Sequence, residues 1–125
     1  MRLLLDTHIV LWAMADSPRL TAGSRRLIEA ADAVYVSAAS VWELAIKVRL
    51  GKIDVDLDAF VAGIGNSGFL DLPVTAAHAA GVSQLPMHHN DPFDRLLVAQ
   101  AQAEPLKLVT ADPALVPYSD LVLLV

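Results

Sequence analysis

The sequence predicts an α/β protein built on a parallel sheet with helices covering both faces. Three observations carry this. The strand-like segments are short, unbroken apolar runs such as Leu3-Leu4-Leu5, the pattern of strands buried on both sides rather than one. They alternate with helical stretches, as parallel βα units require. A chain of 125 residues that is 55% hydrophobic and 18% charged can close one core and is too apolar to stay disordered. No repeat, low-complexity tract or Ser/Gly linker interrupts it, so residues 1–125 read as a single domain.

The elements follow in order. Residues 2–5 form the first apolar run; residues 9–14 are helix-compatible, and Asp16-Ser17-Pro18 punctuates. Residues 21–31 predict a second helix and the β-rich run 33–36 a second strand, ending at Ser37. Residues 38–50 predict an amphipathic helix closed by Gly51, the residue type that best tolerates the left-handed terminal position. A shorter helix spans 57–64, and Gly63-Ile64-Gly65-Asn66-Ser67-Gly68 reads as a loop within the domain. Residues 69–72 predict a third strand and 75–84 a helix of small residues. Residues 92–103 predict a strong helix opened by Pro92, whose missing N–H costs nothing in the first turn. Residues 106–109 predict a fourth strand, 113–115 at most one helical turn, and 121–125 a final apolar run.

Composition excludes several classes. The longest stretch without an acid, lysine or arginine, 72–90, contains two prolines and three histidines and cannot span a bilayer. The amino terminus imitates a secretory signal, but Asp6 interrupts its apolar segment, where a carboxylate costs about 2.5–3.5 kcal/mol. The absence of cysteine removes disulfides and thiolate metal sites, so a cytoplasmic protein is expected. Nine basic against fourteen acidic residues leave a net charge of −5, opposite to the footprint of a protein that binds nucleic acid by bulk charge. A polyanionic substrate would have to be held locally, through a cation captured by acids.

Ligand sites of open parallel sheets lie beyond the carboxyl ends of the strands, so the acids there matter most. Asp6 follows the first strand and Asp112 the fourth. Each also reads as the N-cap of the helical segment behind it. Glu43 completes a capping box if its helix begins at Ser40; if Ser37 is the cap, it lies near the second turn and shares a face with Ala39, Ile46 and Lys47. Asp91 is a natural cap ahead of Pro92. Asp94 belongs to an apolar face with Val98 and Ala101, where an unpaired carboxylate is costly, and Arg95 points about 100° away. Acids converging on one rim raise each other's proton affinity unless a divalent cation joins them. Oxygen donors without cysteine favour Mg²⁺ or Mn²⁺, which suit phosphoryl chemistry.

These residues resemble the PIN-domain ribonucleases, in particular the VapC-type toxins of toxin–antitoxin pairs. The likeness runs through Leu3-Leu4-Leu5-Asp6-Thr7-His8, the segment 37–47, His88-His89-Asn90-Asp91-Pro92-Phe93-Asp94-Arg95 with the helix behind it, and Leu108-Val109-Thr110-Ala111-Asp112. The resemblance implies a three-layer α/β/α sandwich, a pocket binding Mg²⁺ or Mn²⁺, and endonucleolytic cleavage of RNA. It implies that Asp6, Glu43, Asp94 and Asp112 are the catalytic acids: Asp6, Asp94 and Asp112 as metal ligands, and Glu43 coordinating directly or through water. Asp91 is an auxiliary ligand or only a cap. Thr110 matches a polar residue flanking the last acid and is a candidate contact for substrate. Partners implied are RNA, a cognate antitoxin, and a second copy of the chain in a homodimer or a dimer of toxin–antitoxin pairs, with helices 9–14 and 38–50 offering grooves.

Around these acids, His8 is a candidate donor behind Asp6, and Lys47, Arg49, Lys52 and Arg95 are candidates to hold substrate phosphates. Arg49 and Lys52 read equally as a solvated helix face. Adjacent histidines cannot share one helical face and no third lies close in sequence, so His88 and His89 read as loop or RNA-contacting residues rather than metal ligands. Trp12, Trp42, Phe60, Phe69 and Phe93 read as core or interface. A haloacid-dehalogenase-type phosphatase would carry a second aspartate where His8 stands. The remaining alternative is a catalytically inactive PIN-like module that binds a protein or RNA partner, its acids serving as caps.

Overall fold

A computed structural model describes all 125 residues. Five strands, β1 (Arg2–Leu5), β2 (Ala33–Ser37), β3 (Leu70–Leu72), β4 (Lys107–Thr110) and β5 (Val122–Leu124), form one sheet in the order β3-β2-β1-β4-β5. Every neighbouring pair is parallel. Six helices connect them: α1 (Thr7–Met14), α2 (Ala22–Ala30), α3 (Ala38–Arg49), α4 (Leu57–Asn66), α5 (Ala76–Gly81) and α6 (Pro92–Ala103).

Helices lie on both faces, which is why the strands are apolar throughout. Successive strand side chains point to opposite faces, and β1 divides accordingly. Leu3 and Leu5 enter a core with Ile9, Val10, Leu44, Phe60 and Ile64, beneath α1, α3 and α4. Leu4 enters a second core with Leu97, Val98, Leu108 and Leu115, beneath α6. All three β1 leucines are fully buried.

The helix ends follow local chemistry. Thr21 caps α2, Asp56 caps α4 and Thr75 caps α5 through side-chain oxygens. Gly51 and Gly68 take positive φ, 71° and 79°. Each closes its helix with paired bonds back to the last turn, Lys52 N to Lys47 O and Gly51 N to Val48 O in one, Phe69 N to Ile64 O and Gly68 N to Gly65 O in the other.

Four expectations are corrected. Gly63 through Asn66 belong to α4 rather than a loop, because the stop signal is Gly68 and not the first glycine. The terminal run 121–125 is not merely an apolar tail: Val122–Leu124 adds a fifth strand in parallel register with β4. Helix 75–84 stops as α-helix at Gly81 and tightens into a 3₁₀ turn, Val82–Gln84, and residues 113–118 form a second 3₁₀ segment, longer than one turn. No helix is long and apolar enough to cross a membrane.

Candidate active site

Strand order reverses between β1 and β4: the chain lays β2 and β3 on one side of β1, then crosses to place β4 and β5 on the other. A crevice therefore opens beyond the carboxyl ends of β1 and β4. Asp6 follows β1 directly and Asp112 lies two residues beyond β4.

Asp6 is buried, and both its oxygens are occupied. Oδ1 accepts the Thr7 N–H at 2.6 Å and Oδ2 accepts the Thr110 hydroxyl at 2.6 Å. Burial pushes its carboxyl above the usual range, against the pull of the Thr110 and Thr7 bonds, and Glu43 adds to the rise. Thr110 also accepts the Asp112 N–H at 3.0 Å, so one hydroxyl ties together the chain ends that present both acids. Thr110 is fully buried; expected beside substrate, it instead holds Asp6.

Glu43 reaches the same place from α3. Ser37 caps that helix, its hydroxyl accepting the Ala39 N–H at 3.0 Å, so Glu43 falls in the second turn and its carboxylate is buried. The capping-box alternative at Ser40 is thereby overturned. Thr7 Oγ1 donates to Glu43 Oε1 at 2.8 Å and lies 2.9 Å from Ser40 Oγ, and Lys47 Nζ donates to Oε2 at 2.6 Å. That bond, with the charges of Glu43, Asp91 and Asp94 nearby, raises the Lys47 ammonium and keeps it cationic.

Asp91 caps α6, its Oδ1 accepting from Phe93 N at 2.8 Å and Asp94 N at 3.2 Å. Asp94, in the first turn, is pushed up to about 7: burial dominates, with Asp6, Asp91 and Glu43 adding repulsion and a hydrogen bond from His89 opposing it. These acids therefore feel one another's charge although 88 residues separate Asp6 from Asp94. Asp112 is the most open of the set and caps the 3₁₀ segment through Ala114 N at 2.9 Å.

Two residues behave otherwise than their sequence setting suggests. Arg95, a candidate for substrate phosphate, is buried. Its guanidinium donates to the carbonyls of Pro86 (2.9 Å), Val82 (3.3 Å) and Leu85 (3.4 Å) and to Tyr118 Oη (3.1 Å), so it shapes the segment before α6. His89 is the residue that sequence reasoning missed. Its Nε2 lies 2.9 Å from Asp94 Oδ2 and 3.6 Å from Asp112 Oδ2, and one ligand atom from each of the three falls within 4.8 Å of the others. His89 lies on the loop before α6, where helical faces do not constrain its direction.

A cleft of about 440 Å³ opens over Asp6 and Asp112, lined also by His8, Trp12 and Arg19. His8 is exposed, its ring 6.2 Å from that of Trp12. Arg19, on the loop after α1, joins the cleft with no signal in the sequence. Trp42 is exposed on α3, its ring edge-on to Phe93 at 5.1 Å.

Comparison with known proteins agrees with this architecture. The PIN-domain family model matches residues 3–119. A Mycobacterium tuberculosis (strain ATCC 25618 / H37Rv) protein named ribonuclease VapC22 is 32% identical over 119 residues, covering 87% of this chain and 85% of that protein. VapBC2 from Rickettsia felis, solved bound to a DNA fragment from its promoter, superposes with TM-score 0.72 at 17% identity, covering 100% of this chain and 98% of that one. A toxin–antitoxin complex from Klebsiella pneumoniae gives 0.65 at 17% identity over 96% and 94%. The two solved structures share the fold; the family match spans nearly the whole sequence, and the chain belongs to the PIN-domain family, in its VapC-type branch.

Proposed function

We propose that this chain is a divalent-metal-dependent endoribonuclease, cutting phosphodiester bonds of RNA as the cytoplasmic toxin of a toxin–antitoxin pair, with residues 1–125 acting as one domain. The observation that carries the reading is the mutually repelling group of Asp6, Glu43, Asp91 and Asp94 at the topological switch point, where Asp94 is pushed up to about 7. An all-oxygen donor set of this kind fits Mg²⁺ or Mn²⁺, with Asp6, Asp94 and Asp112 as its holders and Glu43 beside them, directly or through water. Such an ion supplies neutralisation of phosphate oxygens and activation of water.

The chain's own residues do the rest. Thr110 and Thr7 keep Asp6 turned into the crevice, and Thr7 with Lys47 fixes both oxygens of Glu43. Glu43 is thereby oriented to position the attacking water and take its proton. Lys47 contributes a fixed positive charge at the pocket's edge, and Arg19 gives the cleft a cation, with the His8 ring beside it as a hydrogen-bonding group, for phosphates adjoining the one attacked. Asp91 serves as the cap of α6.

An antitoxin partner is supported by the toxin–antitoxin complexes among the solved relatives and by an apolar groove of about 480 Å³ between α3 and α4, walled by Val41, Trp42, Ala45 and Val61. A homodimer, or a dimer of toxin–antitoxin pairs, would use the same kind of surface. The deciding experiment incubates partner-free protein with RNA and Mn²⁺ or Mg²⁺. Cleavage that stops with chelator is the expected outcome. Intact RNA with either ion would leave the inactive binding module as the reading.

A further inference from the structure

We propose that His89 is a nitrogen ligand of the divalent ion held in this pocket, converting an all-oxygen donor set into a mixed one. The inference rests on the metal-dependent reading above. His89 Nε2 stands 2.9 Å from Asp94 Oδ2 and 3.6 Å from Asp112 Oδ2. Ligand bonds of about 2.1 Å place neighbouring donor atoms about 3.0 Å apart across an octahedral edge. Both separations lie near that spacing, and the histidine faces two acids from different parts of the chain rather than pairing with one.

The loop that carries His89 is held from both sides. The His89 N–H donates to Tyr118 Oη at 2.8 Å, Tyr118 Oη lies 3.3 Å from the His89 carbonyl, and Arg95 donates to the same hydroxyl at 3.1 Å. The His88 ring packs edge-on against Tyr118 at 5.1 Å, and it is His89 whose Nε2 faces the acids. Burying an arginine to fasten the 82–86 carbonyls is costly unless its donors are used; here they are used to fix the approach to His89. The imidazole is held over the pocket while about a quarter of it stays open to solvent.

Mn²⁺ accepts an imidazole among oxygen ligands more readily than Mg²⁺ does, since affinity for nitrogen-containing sites rises along the first row from Mn²⁺, whereas Mg²⁺ keeps oxygen ligands and retains its waters. His89 therefore biases the pocket towards Mn²⁺ over Mg²⁺. The test is pulsed electron paramagnetic resonance on the Mn²⁺-loaded protein, with titration of each ion by calorimetry. The wild type should show nitrogen modulation from a directly bound imidazole, lost in His89→Ala and kept in His88→Ala. Mn²⁺ affinity should fall by about tenfold in His89→Ala and Mg²⁺ affinity by less than about threefold. Nitrogen modulation absent from the wild type, or surviving in His89→Ala, overturns the assignment, as does an equal effect on both ions. Protein that binds Mn²⁺ through oxygen alone removes His89 but leaves the nuclease reading standing, while protein that binds neither ion removes both.

Discussion

At the residue scale, Asp94 sets the proposed metal-binding role against the cost of a partly buried charge. Its carboxyl sits near 7, first because burial disfavours its charge and then because Asp6, Asp91 and Glu43 repel it. Asp94→Asn is expected to abolish RNA cleavage while leaving the melting temperature of the metal-free protein equal or higher, since a neutral amide relieves the repulsion. A large fall in melting temperature would instead mark Asp94 as structural. The same shift predicts how stability depends on pH. Between about pH 4 and pH 7 the folded protein keeps a proton that the unfolded chain has lost, so stability falls as pH rises through that window. Metal-free protein should therefore melt higher near pH 5 than near pH 7.5, and Asp94→Asn should flatten most of the difference, leaving the part due to Asp6. Thr110→Val tests the neighbouring contact: removing a hydroxyl bonded to a buried carboxylate should cost about 1.5–3 kcal/mol in denaturant unfolding and weaken Mn²⁺ binding. An effect confined to substrate KM would restore the substrate-contacting role.

At the scale of elements, the ends of helices decide what the site receives. Ser37 caps α3, so Glu43 stands in the second turn with its carboxylate free to meet Thr7 and Lys47; with Ser40 as the cap it would be the third helical residue, turned back to the Ser40 N–H. α4 ends where Gly68 adopts positive φ, not at the glycines inside it. Gly65 has open space around it and an ordinary helical conformation, so Gly65→Ala should stabilise by about 0.5–1 kcal/mol. Gly68→Ala, with φ at 79°, should destabilise by on the order of 1 kcal/mol, and chemical denaturation of the two variants separates the helical reading from the loop reading. The segment before α6 depends on Arg95 in the same way. Arg95→Ala leaves three carbonyls without this donor and Tyr118 with one fewer, and should cost at least about 1–3 kcal/mol; a variant with normal stability and impaired RNA binding would return Arg95 to the substrate.

At the scale of the whole molecule, the crossing from one side of β1 to the other makes the crevice, and a ligand bound there ties β1, α3, α6 and the β4 end together. Mn²⁺ at 100 times its Kd should stabilise the folded state by about 2.7 kcal/mol if the unfolded chain does not bind it. Thermal melting with and without chelator checks this, and an unchanged midpoint at saturating ion counts against a pocket formed only by folding.

What the sequence by itself determined was the alternation of elements, and it singled out the acids that stand as candidates for the site. Continuous apolar runs signal strands covered on both faces, and capping residues signal helix starts, because both are read from neighbours a few positions apart. Asp94 announced itself through its apolar helical face. Only the tertiary structure decided that Arg95 turns inward, that Thr110 serves Asp6, and that His89 rather than His88 meets the acids. Those outcomes depend on Tyr118, on the paths of loops and on the strand order, and contacts made across 29 or 104 residues leave no periodicity in the chain from which to infer them.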